Sequence, residues 1–269
     1  SKHINVRTMQ IIISCAKTMI ERTNPQVPPM SRPRFIAEAH TIAGEMARWS
    51  AQDVARALRC NTQIAAQTLL RYQSIVAHAG GAASLSGYGM PAALAYHGQV
   101  FKHLKAETFL AGQQEYANEH LWICSFLYGL LRPFNAIMPY RLEGSVRLQV
   151  TDGKTLFDYW RTRLTSALID SVKADDGILV FLAAEEMKRL FDWRRVQEEL
   201  TVVQPLFYED EGSRLKTVVV RAKSCRGAMT RYILLNRPCT IEELHGFELD
   251  GYRYRPNYGE ELFPHFIKG

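Results

Sequence analysis

The 269-residue sequence has no CxxC pair, no glycine-rich phosphate loop, no internal repeat and no low-complexity tract. Each absence removes a class of protein. The five cysteines, at 15, 60, 124, 225 and 239, are odd in number and far apart, which argues against a disulfide framework and a zinc ribbon and fits a reducing cytoplasm. No apolar run approaches the roughly 20 residues that span a bilayer, and the amino-terminal stretch lacks a signal-peptide core, so no membrane partner is expected.

What is present is a chain that should fold. Apolar residues make up 47%, and 33 Lys and Arg stand against 27 Asp and Glu, a net charge of +6 that mildly favours polyanionic partners. "MQIIISCAKTM" (9–19) reads as a buried strand running into a hydroxyl, a thiol and an ammonium, an arrangement that often feeds an anion site. "NPQVPPMSRPR" (24–34) is held extended by its prolines, and helical spacing from Phe35 to about His78 predicts two or three helices. "GGAASLSGYGMP" (80–91) is expected to turn, and a short element comes next around His97-Gly98.

Farther along, "LWICSF" and "GILVFLAA" (177–184) are runs of buried-strand length, and Val146, Leu148 and Val150 alternate like a strand. A helix is predicted from Thr155 to about Val172. "LTVVQPLFYED" and "RLKTVVVRAK" read as paired strands around the turn "EDEGSR". With no clear linker, the expectation is one mixed α/β domain over 1–269, with the Ala- and Arg-rich helices of about 35–79 packed on its sheet.

Several groups could carry chemistry. At about 100° per residue, Lys223, Arg226, Thr230 and Arg237 share a 60° arc, with Ala228, Tyr232 and Leu235 opposite. Such a face is either an anion site near a helix start or an ordinary solvated surface. Arg132, Tyr140, Arg141 and Glu143 sit in a proline-punctuated turn, where Arg suits bidentate phosphate contact and where Arg141 with Glu143 could equally form a structural ion pair. His97 and His103 match no common metal spacing and are weak metal candidates. Cys15 is a small buried residue or a nucleophile whose pKa Lys17 lowers. Glu185 and Glu186 end an apolar run, a place for a catalytic acid or for a helix's first turn.

In combination these segments resemble the YaaA peroxide-stress family. "ISCAKT" (13–18) is similar to its I-S-P-A-K-T, and "YHGQVFKHLKAETF" (96–109) to its F-x-G-x-V-Y-x-G-L-x-A-x-T. "LYGLLRPFNAIMPYRLE" (127–143) resembles L-Y-G-x-L-R-P-x-D-x-I-x-P-Y-R-L-E. "KTLFDYW" (154–160) resembles K-x-L-Y-x-F-W, and "KSCRGAMTRYILLNR" (223–237) resembles K-x-x-R-G-x-M-x-R-x-x-x-x-N-R. The resemblance implies a single-domain mixed α/β (α+β) fold with a mixed sheet, flanking helices, a positively charged cleft and a helix-hairpin-helix-like element. It also implies DNA binding and peroxide protection, partly by limiting intracellular iron. The shared polar positions are Lys17, Arg132, Tyr140, Arg141, Lys223, Arg226 and Arg231.

The departures are Cys15 for Pro, His103 for a hairpin Gly, Phe126 for Gly, Asn135 for Asp, and "FLAAEEM" (181–187) for N-L-A-S-x-E-Y, which keeps Glu186. Loss of the glycine at 103 counts against close backbone approach to phosphate. Two functions are expected on these grounds. The first is a stress protein holding DNA or another nucleotide-like anion. The second is a respecialised enzyme on a nucleobase or nucleotide-like molecule, with Glu186 or Cys15 as catalytic group; iron or haem would suit either, although no ligand motif is legible.

Overall fold

The computed structural model describes residues 7–21, 27–79 and 89–269. The start of the proline-rich segment, within 22–26, and the glycine-rich stretch 80–88 lie outside the described residues.

Gln10–Ser14 (β1) lies at the centre of a five-stranded sheet, parallel to Leu121–Ser125 (β3) on one side and to Ile178–Phe181 (β6) on the other. All three strands read as near-continuous apolar runs because both of their faces are covered, the usual signature of parallel strands. Thr201–Val203 (β7) extends the sheet in parallel beyond β6, and Gly129–Leu131 (β4) closes the other edge antiparallel to β3. Gly129 adopts a φ of 73°, and a Cβ there would lie 2.8 Å from the Trp160 ring. The sheet is therefore mixed, with β1 at the point where the chain switches from one side to the other.

Three helices precede the rest of the sheet: Ile36–Met46 (α1), Ala51–Leu58 (α2) and Thr62–Ala79 (α3). Specific contacts tie them to later parts of the chain. Phe35 packs edge-on to Trp160, and the Tyr72 hydroxyl donates to the Arg141 carbonyl. The buried Glu45 carboxylate accepts from the Gln149 and Val150 amides at 2.9 Å each. That last contact explains a difference from expectation. Val146 to Val150 alternate in burial without forming a strand, because their backbone is wound into turns held by Glu45 and by the Thr151 hydroxyl.

Met90–Pro91 (β2) pairs with Ala136–Ile137 (β5), and between them come the short helices Ala92–Ala95 (α4) and Gln99–Leu104 (α5) and then Ala111–His120 (α6). Leu156–Ala174 (α7) starts at Thr155, whose side chain accepts from the Asp158 amide, and buries Trp160, Leu164 and Leu168. Trp193–Glu199 (α8) leads into β7.

A second five-stranded sheet holds Leu206–Asp210 (β8), Leu215–Lys216 (β9), Glu248–Leu249 (β10), Tyr252–Glu260 (β11) and Phe263–Lys268 (β12), in the order β10-β11-β12-β8-β9. The β-branched run expected to extend β9 becomes a helix instead. Val219–Asn236 (α9) begins inside "TVVV", since packing of this helix overrides local strand preference. The helix also buries more of its surface than the cationic arc implies. Thr230, placed on that arc, is 0% exposed and donates its hydroxyl to the Arg226 carbonyl at 2.7 Å.

Candidate functional site

In a doubly sided sheet, ligands bind beyond the carboxyl ends of the strands where the strand order switches direction. Here β1, β3 and β6 end together. The residues just past their ends, Cys15 to Thr18, Phe126, and Leu182, Ala184, Glu186 and Met187, border a cavity of about 310 Å³. Three further walls complete it: the Tyr140–Glu143 loop, the entry to α5 around His97 to Phe101, and α9 through Lys223 and Arg226.

Each wall is fixed by ordinary backbone chemistry. The Cys15 amide donates to the Cys124 carbonyl (3.1 Å), and the Ser14 hydroxyl accepts from the Ala184 amide (2.7 Å), which ties the ends of β1, β3 and β6 together. Beyond Cys15 the chain runs against residues 95–97, with the His97 amide donating to the Thr18 carbonyl (2.9 Å) and the Ile20 amide to the Ala95 carbonyl (2.8 Å). Beneath Tyr140 lies a chain of buried hydroxyls. Tyr96 and Tyr140 share a hydrogen bond of 2.5 Å, Tyr140 and Ser125 one of 2.6 Å, and Ser125 accepts from the Tyr128 amide. Burial pushes the phenols of Tyr96 and Tyr140 well above their ordinary value, so both remain neutral.

The cavity brings together Cys15, Lys17, His97, Tyr140, Arg141, Glu186, Lys223 and Arg226 from the sequence-predicted set. Lys17, with 68% of its side chain exposed, pairs at 3.2 Å with Glu143, a residue expected to serve Arg141. Among the described residues Arg141 forms no such pair, and its Nε is buried without a hydrogen-bond partner. Burial lowers the Arg226 pKa, and among the described residues no carboxylate lies within 4.0 Å of its guanidinium. The neighbouring acid, Glu185, is engaged elsewhere: it accepts from Lys188 Nζ at 2.7 Å and from Gln204 Nε2 at 3.3 Å.

Cys15 differs from expectation in its electrostatics. Burial first, then Glu186 and Glu143, push its thiol up to about 12, overriding any help from Lys17. It is a neutral thiol at physiological pH. Glu186 therefore acts on this site from close range, while its neighbour Glu185 serves the first turn of the short helix Glu185–Leu190.

Three predicted residues lie elsewhere. Arg132 is not in the cavity: it stacks 3.3 Å over the Trp122 ring and donates to the Leu121 carbonyl and the Ser171 hydroxyl, and burial drops its pKa to about 9. It props the amino-terminal side of β3. Arg231 is spent on the Leu104 and Lys105 carbonyls and the Thr108 hydroxyl, where it fastens the end of α5. His103 points its Nδ1 at the Gln99 carbonyl within the same helix. Among the described residues no group of three or more His, Cys, Asp and Glu side chains is placed to hold a metal ion. No described helix is long and apolar enough to cross a membrane.

Sequence reasoning missed Glu143 as the partner of Lys17, and it missed Gln99, which joins the cavity wall and accepts from the Ser224 hydroxyl at 3.3 Å. Asn135, a departure from the family pattern, proves structural. Its Oδ1 accepts from the Arg132 amide at 2.7 Å and its Nδ2 donates to the Ser31 hydroxyl at 3.0 Å.

Fold and cavity together define a mixed α/β protein with a ligand-sized pocket at the switch point of a parallel-centred sheet. The chain belongs to a family described as peroxide stress protein YaaA, which matches residues 9–258. It is 44% identical over 261 residues to a UPF0246 protein of Bacteroides thetaiotaomicron, covering 97% of this chain and 99% of the relative. A UPF0246 protein of Phocaeicola vulgatus is 43% identical over 259 residues (96% and 98%), and one from Caulobacter vibrioides 34% over 250 residues (92% and 94%).

Proposed function

We propose that this peroxide-stress family member acts by binding a small, phosphorylated, nucleotide-like anion in the cavity, with Arg226, Lys223 and Arg141 holding the anion. The observation that carries the reading is Arg226, a desolvated guanidinium facing the cavity with no carboxylate in contact among the described residues. A half-buried charge without a partner is costly, and an anionic ligand lowers that cost. Arg141, with an orphaned buried Nε–H, supports the same conclusion from another wall of the cavity. A volume of about 310 Å³ suits a small molecule. Phe101 and Phe126 on the same walls offer apolar surface for a base.

DNA backbone is the competing ligand of the same chemistry, reaching the exposed Lys17 at the rim. Control of iron belongs to this reading as its physiological setting. Thermal-shift measurements with AMP, GMP, CMP, UMP, orthophosphate and a short DNA duplex separate the cases. Stabilisation by one or more mononucleotides, lost in Arg226→Ala, is the expected result. A flat response to every mononucleotide, with duplex binding that falls steeply with salt, would replace it by the DNA reading.

An enzymatic reading is favoured by one observation: Glu186 bears on the neutral Cys15 thiol inside the same cavity as the cations. In that reading Glu186 is the general base toward the bound nucleobase, and Cys15 is a neutral wall residue. Conversion of a bound nucleotide, followed by mass spectrometry and abolished in Glu186→Gln with binding retained, is its test. An absorbance spectrum of freshly purified protein decides whether haem takes part.

A further inference from the structure

Three buried hydroxyls at the cavity wall carry one hydrogen more than their mutual contacts use. The Tyr140 oxygen meets the hydroxyls of Tyr96 and Ser125 at 2.5 and 2.6 Å, and the Ser125 oxygen also accepts from the Tyr128 amide. Two contacts consume two of the three hydroxyl hydrogens, so one is left over. Tyr96 and Ser125, 2% and 0% exposed, find no acceptor of hydrogen-bond geometry besides Tyr140 among the described residues, and neither borders the cavity. A hydrogen left on either would be buried without a partner, which costs free energy. Tyr140 does border the cavity. The arrangement that strands nothing has Tyr96 and Ser125 both donating to Tyr140, which then donates into the cavity.

Burial keeps the Tyr140 phenol neutral, so it remains a donor. The same wall carries a group of the opposite hydrogen-bonding character. Glu186 borders the cavity, and among the described residues its carboxylate has no hydrogen bond and no cation within 4.0 Å. An ionised carboxylate only accepts. The cavity's other acid, Glu143, is already paired with Lys17. Tyr140 and Glu186 both bear on the Cys15 thiol, which places donor and acceptor along one stretch of wall, in the cavity that Phe101 and Phe126 also line.

We infer that this stretch of wall reads a lactam edge: Tyr140 donates to a ring carbonyl and Glu186 accepts from the ring N–H beside it, so the ligand carries an oxo base of the hypoxanthine, guanine or uracil kind. Amino bases carry the reverse pattern. In adenine and cytosine an amino group replaces the carbonyl and a bare ring nitrogen replaces the N–H, so Tyr140 would meet a donor and Glu186 a lone pair. Polar groups left unpaired in this way are what reject the wrong ligand. The inference rests on the nucleotide reading and narrows it by base.

The test is isothermal titration of the full chain with two matched pairs, IMP against AMP and UMP against CMP, whose members differ only in this edge. In the wild type the oxo member of the better-bound pair should bind about tenfold or more tighter than its amino partner. Tyr140→Phe removes the donor, and Glu186→Gln turns the acceptor into an amide that both donates and accepts. Each should bring the ratio close to one. If Tyr140→Phe fails to fold, Glu186→Gln, a change at an exposed residue, decides alone. Equal affinities within both pairs, a preference for the amino members, or a preference that survives in a folded variant overturns the assignment and leaves the nucleotide reading standing. If no mononucleotide binds, the nucleotide reading itself falls, and the base assignment falls with it.

Discussion

A Cβ built on Gly227 would lie 2.0 Å from the Val100 carbonyl oxygen, so α9 and α5 meet with bare backbone against backbone. That approach fixes Lys223 and Arg226 of α9 beside His97 to Phe101 on the cavity wall. No side chain fits between the two helices at that point. Gly227→Ala is expected to push α5 away, costing roughly 1–3 kcal/mol as overpacking does. The checks are a lowered midpoint in chemical denaturation and weakened nucleotide binding in the folded fraction. An unchanged midpoint would mean that the helices part freely.

The Glu45 carboxylate satisfies two backbone amides in a loop that forms no strand. Glu45→Ala leaves the Gln149 and Val150 amides without their acceptor, a loss of about 1–3 kcal/mol. Glu45→Gln keeps one acceptor oxygen and should recover part of it. Urea unfolding of the three proteins measures both.

Cys15 should be slow toward alkylating agents. With its thiol pushed up to about 12, it holds little thiolate at pH 8, whereas the exposed Cys239 reacts first. Glu186→Gln removes a negative charge that raises the thiol, so Cys15 should then alkylate faster. Peptide mapping after timed iodoacetamide treatment reads both sites. Equal labelling of Cys15 and Cys239 in the wild type would contradict the electrostatics.

Stability should fall in alkali. Cys15, Cys124, Tyr96 and Tyr140 all ionise less readily in the folded chain than their ordinary values of 9.0 for thiols and 10.0 for phenols, chiefly through burial. Above those values the unfolded chain has released protons that the folded chain retains, so the slope of stability with pH is negative. The contribution is full below pH 9.0 and is lost progressively as pH rises past 9.0 and 10.0. Thermal midpoints between pH 7 and 11 check the direction.

Much of this architecture was legible in the chain, for reasons that particular elements show. β1, β3 and β6 stand out because parallel strands buried on both faces leave uninterrupted apolar runs, and α7 because Thr155 caps a clean helical stripe. Where tertiary packing overrules local preference, the reading failed. Val218 to Val220 favour a strand, yet they lead into a helix that packs on α5. The carboxy-terminal hairpin gave no expectation, since β11 is largely exposed and its alternation is broken by Pro256 and Gly259.

The cationic set was visible residue by residue, but its division was not. Arg132, Arg226 and Arg231 look alike in sequence. Only packing shows that Arg132 lies over Trp122 and that Arg231 is consumed by three oxygens at the end of α5, while Arg226 is left facing the cavity.

The most direct test of the central claim is isothermal titration of the best-stabilising mononucleotide into the wild type and into Arg226→Ala, with Arg231→Ala as a control that disturbs a neighbouring arginine outside the cavity. The account predicts saturable binding in the wild type, a loss of at least about tenfold in Arg226→Ala, and near-wild-type affinity in folded Arg231→Ala. Equal affinity in wild type and Arg226→Ala would contradict it.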